Sequence, residues 1–210
     1  MARKPGSSPR RGPRFESDLR RSGRGREPRE RILVFCDSDV TERDYLRALV
    51  GHVANPAVTV RIRNKPCSPS QLVAHAASFR DKAPEDFDQV WCVFDVDDYS
   101  DIHQAVKKAG DLGIKLAVSN PCFELWLLLH HTPHTAHIMG YRQLVPLLTK
   151  HVPAYDKARI NFPRDFGPSW ARAVERARGL ATSGQEYAVN PSTGVWALVE
   201  IIGGGSDRRR

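Results

Sequence analysis

The sequence predicts an α/β fold: a mainly parallel sheet of about four strands flanked by helices, followed by an α-helical C-terminal part. Two observations predict it. Short runs rich in apolar and β-branched residues at 31–36, 58–63, 89–94 and 114–118 alternate with longer stretches of helical character, giving the order β-α-β-α-β-α-β. Such alternation implies parallel strands joined by right-handed crossovers, with helices on both faces. A length of 210 residues suits one domain of ordinary size plus some length outside it. No internal repeat is visible.

Each element has a local reason. Arg31 to Cys36 reads as a buried strand, and Asp37-Ser38-Asp39 as the turn into a helix over about Val40 to Val53, capped by Asp39 or Thr41. Val58 to Arg63 alternates apolar with polar, mostly basic residues, the pattern of a strand with one exposed face. Ser68-Pro69 opens a helix through about Arg80, with Pro just inside the cap. The next strand is followed by a helix from about Ser100 to Leu112, which Gly113 stops, and by a short strand at 114–118. Ser119 or Asn120 before Pro121 starts an apolar helix through Leu129 and puts Glu124 in its first turn. Helices near Tyr141–Lys150, Pro168–Thr182 and Pro191–Ile202 complete the chain.

Charge divides the molecule. Residues 1–31 hold 11 Lys/Arg against 4 Asp/Glu, and residues 207–210 hold three Arg against one Asp, so a formal charge of +8 leaves the body nearly neutral. Residues 1–30 form an Arg/Gly/Pro-rich tail, 31–202 a single domain and 203–210 a Gly/Arg tail. The first tail has almost no large apolar residue and is expected to be disordered. Its Arg20, Arg21, Arg24 and Arg26 are candidate contacts to a nucleic-acid backbone, where they would gain affinity by counterion release; a merely solubilising tail is the competing reading. No apolar h-region follows the positive stretch, and no apolar run approaches the ~20 residues a bilayer needs, so the expected location is cytoplasmic.

The cysteines, Cys36, Cys67, Cys92 and Cys122, form no C-x-x-C pair, which argues against a disulfide framework or a structural zinc site. Among the histidines, His130, His134 and His137 have helical ligand spacing. Thr132-Pro133 should end the helix there, which makes them exposed loop residues.

Chemistry concentrates at Val90 to Asp98, an apolar strand ending in Asp95, Asp97 and Asp98. In an open α/β sheet ligands bind just beyond the carboxyl ends of strands, and residues two apart on a strand face the same way. Like charges that close call for a cation or a proton, and oxygen-only ligands favour Mg²⁺ or Mn²⁺ over zinc. Glu124, near the same edge, is a further candidate metal ligand; its ordinary role would be to complement a helix dipole. The competing reading of the Asp run is a helix cap, through Asp98 or Ser100.

The strings I-L-V-F-C-D-S-D-V-T-E (32–42), V-W-C-V-F-D-V-D-D (90–98) and S-N-P-C-F-E-L-W-L-L-L-H (119–130), with Tyr155-Asp156-Lys157 and Asn190-Pro191-Ser192-Thr193, resemble the RloB-like proteins of bacterial anti-phage and abortive-infection loci. The resemblance covers about Arg31 to Ile202. It implies a Toprim-related fold, Mg²⁺ held by a carboxylate after the first strand and by a D-x-D that maps onto Asp95 and Asp97, action on phosphodiesters, and a separate ATPase partner. Where the family reads C-E-G-E-K-T-E, this chain has Asp37 in place of the first Glu, a carboxylate shorter by one methylene. Glu42 falls inside the predicted helix and is not expected to substitute for it.

Asp37, Asp95 and Asp97 are thus the expected metal ligands and catalytic carboxylates, with Asp37 the candidate general acid/base and Lys157 a point charge for the phosphate. The expected activity is Mg²⁺-dependent phosphodiester hydrolysis in nucleic acid, tRNA included, by the effector of a defence system. No G-x-x-x-x-G-K-[ST] occurs, so nucleotide-driven switching would come from the ATPase. The alternative is a non-catalytic module that binds nucleic acid or protein. A haloacid-dehalogenase-like phosphatase fits less well, because Tyr99 and Ser100 stand where Thr or Val is usual, and a primase or topoisomerase would need a longer chain.

Overall fold

The structure, a computed structural model, describes residues 29–38, 40–96 and 99–205. Asp39, Asp97, Asp98, residues 1–28 with Arg20, Arg21, Arg24 and Arg26, and residues 206–210 lie outside the described residues. The first seven elements are β1 (Glu30–Cys36), α1 (Thr41–Val53), β2 (Val58–Asn64), α2 (Pro69–Asp81), β3 (Gln89–Asp95), α3 (Ile102–Leu112) and β4 (Lys115–Asn120). After them come α4 (Glu124–Leu129), α5 (Tyr141–Thr149), α6 (Phe162–Asp165), α7 (Trp170–Arg178), β5 (Ser192–Thr193) and α8 (Val195–Gly203). The sheet order is β2-β1-β3-β4-β5; β1 to β4 are parallel and β5 runs antiparallel to β4. The expected α/β architecture with a helical C-terminal part is therefore what forms.

The alternation of side chains along each strand sorts the core into two layers. Ile32, Val34, Trp91 and Val93 face a layer built from α1, α4, α7 and α8, including Tyr45, Leu46, Trp126 and Leu198. Leu33, Phe35, Val90, Cys92 and Phe94 face α2 and α3 through Leu72, Ala76 and Ala105. Cys36, Cys92 and Cys122 are buried and in no disulfide, and the first two are small apolar fillers as their strand positions imply. Edge strand β2 keeps its basic face outward, where Arg61 lies over Phe87 and Arg63 over Phe79.

Several local expectations are corrected. Thr41 does not cap α1, because its hydroxyl donates to the Lys157 carbonyl at 2.8 Å, a partner distant in sequence. The residue at the cap of α3 is Asp101, whose carboxylate accepts from Ser68 Oγ at 2.7 Å and Ser70 N at 3.0 Å and so serves the start of α2 instead. The chain after Pro191 does not enter a helix directly. It first pairs with β4, and α8 begins at Val195. A two-residue strand has too little periodicity to be read from sequence.

His130 is a core residue, 3% exposed. Its Nε2 pairs with the Tyr45 hydroxyl at 2.9 Å and its Nδ1 with the Phe166 carbonyl at 3.0 Å, and burial pushes its pKa down to about 3. The helix does end before Pro133, at Leu129, but the residue just past that end stays buried against the Phe166 turn.

Close helix packing at the C-terminus sets one testable constraint. A methyl group added at Gly203 would lie 2.4 Å from the Trp170 ring. Gly203→Ala is expected to cost about 1–3 kcal/mol, the usual scale of overpacking, measured as a lower urea midpoint with unchanged m-value.

Candidate metal centre

The four parallel strands deliver their carboxyl ends to one edge, and four carboxylates gather there. Asp37 directly follows β1, with its N–H on the Val93 carbonyl at 3.2 Å. Asp95 is the last residue of β3, paired in register with Ser119 of β4. Glu124 opens α4 after β4, and Glu42 lies in the first turn of α1. Glu42 and Glu124 are 1% and 0% exposed.

The turn that presents Glu124 is braced from the C-terminal part. Asn190 Nδ2 donates to Asn120 Oδ1 at 3.1 Å and to the Ile138 carbonyl at 2.8 Å, and Asn190 Oδ1 accepts from Ile138 N at 2.9 Å. Ser119 Oγ and Thr193 Oγ1 lie 3.0 Å apart. The two Asn-Pro segments, 70 residues apart in sequence, thus form one hydrogen-bonded unit beneath the site.

Electrostatics mark the group as unfinished. Burial pushes Asp37 up to about 7, against the pull of the backbone N–H groups of Ser38, Asp37 and Asp95 and the charge of Lys157. Burial also carries Glu42 up to about 7, with Asp37 and Glu124 adding repulsion. Asp95 is raised well above the carboxylate range, first by burial and then by Glu42, Asp37 and Glu124. Asp95 Oδ1, Glu42 Oε2, Glu124 Oε2 and Ser38 Oγ are sealed from solvent with no hydrogen-bond partner. Buried carboxylate oxygens normally find partners, so three bare ones in mutually repelling groups require a cation or protons.

One cation borders the cluster. Lys157 Nζ lies 3.7 Å from Glu124 Oε1 and 5.0 Å from the centre of the Tyr141 ring, with about half of its side chain exposed. Burial acts to lower its pKa, but Glu124, Glu42 and Asp95 outweigh that and raise it. Tyr155 donates its hydroxyl to the same Glu124 oxygen at 2.9 Å.

Asp37, Asp95, Glu124 and Lys157, all singled out from sequence, therefore share one site. Asp97 lies outside the described residues. Glu42, not expected to take part, joins them: it is inside the helix as expected, yet side chains in a first turn lean back toward the helix N-terminus, which here is the sheet edge. A Glu one turn into the helix after β1 is placed as Glu124 is after β4. Tyr155 has no comparable signal in the sequence.

The donor set suits a hard divalent ion, being all oxygen with three unpartnered atoms. Asp95, Glu42, Glu124 and Asp37 would hold it. Among the described residues, however, no three His, Cys, Asp or Glu side chains already converge as a ligand set, so the carboxylates would have to close around the ion. Binding should then require deprotonation. Mn²⁺ affinity is expected to rise as pH increases from 5.5 toward and through about 7, where Asp37 and Glu42 lose their protons, and titration calorimetry in buffers of different ionisation enthalpy should register proton release. Flat affinity across that range would contradict the protonated metal-free state.

No curated protein and no solved structure shows a significant match to the chain. The family model described as RloB-like protein matches residues 32–202, which begin in β1 and end in α8 and so include every described carboxylate of the site. The chain belongs to the RloB-like family.

Proposed function

We propose that this protein is a Mg²⁺- or Mn²⁺-dependent nuclease that hydrolyses phosphodiester bonds in nucleic acid, with tRNA among its candidate substrates. The observation that carries the reading is the group of buried carboxylates at the sheet's carboxyl edge with three bare oxygens and a half-exposed lysine beside them. When bound, a divalent ion would supply charge neutralisation at the scissile phosphate and a more acidic water. Asp95, Glu42 and Glu124 would hold it, together with Asp97 of the D-x-D. Asp37, whose proton affinity burial sets near neutrality, is suited to take a proton from the attacking water. Lys157 keeps its ammonium at the solvent-facing rim, where a phosphate oxygen can reach it. The Arg-rich N-terminal segment would add sequence-independent attraction to the polyanion.

The biological role proposed with this activity is that of effector in an anti-phage abortive-infection system, in the cytoplasm, held in check by a separate ATPase. The sequence contains no phosphate-binding loop of its own, so nucleotide-driven switching would come from the ATPase; among the described residues no helix is long and apolar enough to cross a membrane.

The test is incubation of end-labelled tRNA and DNA with the purified protein in Mg²⁺, Mn²⁺ or EDTA. Cleavage should need the metal, disappear in Asp95→Ala/Asp97→Ala and persist in the surface variant Lys107→Ala. A second reading, a non-catalytic module that binds nucleic acid or protein, is favoured by one observation: Lys157 already offsets part of the acidic charge through Glu124. Metal-independent binding with no cleavage of either substrate would replace the nuclease reading with that one.

A further inference from the structure

We propose that Tyr155 is a positioning residue that fixes the orientation of Glu124 so that one carboxylate oxygen stays available to a divalent ion. The inference rests on the cation-site reading above and adds to it a residue outside the carboxylate set. Glu124 is fully buried, and its two oxygens are treated differently: Oε1 receives the Tyr155 hydroxyl at 2.9 Å and has Lys157 Nζ at 3.7 Å, while Oε2 has no partner. A hydroxyl present only to satisfy a buried carboxylate would be one of several donors covering both oxygens. Here both the tyrosine and the lysine address a single oxygen. The other is left bare, on a carboxylate that repels Asp95 and Glu42.

The placement of Tyr155 is itself secured. Its N–H donates to the Val152 carbonyl at 2.9 Å, its ring packs against the larger core layer, and two residues later the Lys157 carbonyl is held by the Thr41 hydroxyl at 2.8 Å. Thr41 precedes Glu42 directly, so the 155–157 segment is pinned between the two helix starts that carry Glu42 and Glu124. A ligand carboxylate with one oxygen hydrogen-bonded is restrained in rotation, and outer partners of this kind typically govern affinity about 10- to 100-fold.

The experiment measures Mn²⁺ binding to the full-length protein by the loss of the free-ion electron paramagnetic resonance signal, with no substrate present. Tyr155→Phe keeps the ring and removes the hydroxyl. Its Mn²⁺ dissociation constant should rise by about tenfold or more, with the circular dichroism spectrum of wild type. In a Glu124→Gln background the same change should have little further effect, because Tyr155 acts only through Glu124. If wild type binds Mn²⁺ and Tyr155→Phe binds it equally well, the positioning role is overturned while the cation site stands. An equal loss in both backgrounds would likewise overturn it, by assigning the effect to packing. Absence of Mn²⁺ binding in wild type would remove the cation site itself, and this inference with it.

Discussion

Asp95→Asn is expected to make the metal-free protein more stable and to abolish its cleavage activity. The carboxylate of Asp95 stands at the end of β3, at the border of the core; one of its oxygens is sealed without a partner, and Glu42, Asp37 and Glu124 repel it. An amide of the same shape removes the charge, and with it the cost of burying an ion beside like charges. Thermal unfolding of the metal-free variant at pH 8, above the values of about 7 to which burial raises Asp37 and Glu42, should therefore show a higher Tm than wild type. Cleavage should fall by at least about 100-fold, the scale on which loss of one group that stabilises transition-state charge is felt. A stabilising change that destroys function is the signature of a site held in an unfavourable state for its chemistry. A lower Tm for Asp95→Asn would mean that the carboxylate is satisfied by something the structure does not place there.

Lys157→Met should separate binding from turnover. In the metal-free protein the ammonium is attracted by Glu124, Glu42 and Asp95, so an incoming divalent ion must work against a positive charge already seated at the rim. Removing that charge while keeping an unbranched stem should strengthen Mn²⁺ binding. The same variant loses the one cation of the described site placed to meet a phosphate, so cleavage at saturating Mn²⁺ should drop by about 10²- to 10³-fold if the lysine supports the developing charge. The two effects have opposite signs, which a general disturbance of the site would not produce. Lys157 is about half exposed but Glu124 is fully buried, so removing the lysine leaves that buried charge less compensated and the Tm of the metal-free protein should fall.

Much of the site was legible before the fold. Asp95 at a strand end, Asp37 in the turn after β1 and Glu124 in the first turn after β4 are all positions that a parallel sheet must bring to one edge, because every parallel strand ends there. Tyr155 and Lys157 come from a segment with no periodicity, and nothing local shows which strand end they meet. His130 is the converse case. Its neighbours in sequence mark a loop, whereas its surroundings are the Tyr45, Trp126 and Phe166 rings, from α1, α4 and the turn after α6.

Local periodicity and the one-directional geometry of β-α-β crossovers are enough to set the strand and helix alternation, and hence the parallel sheet and the edge at which acids collect. Tertiary structure alone decided which acid oxygens go unpartnered, that Glu42 joins them, that Asn190 braces Asn120, and that Tyr155 and Lys157 both claim one oxygen of Glu124. Those are matters of desolvation and hydrogen-bond pairing between residues distant in the chain, and their strength depends on what surrounds each atom once water has been excluded.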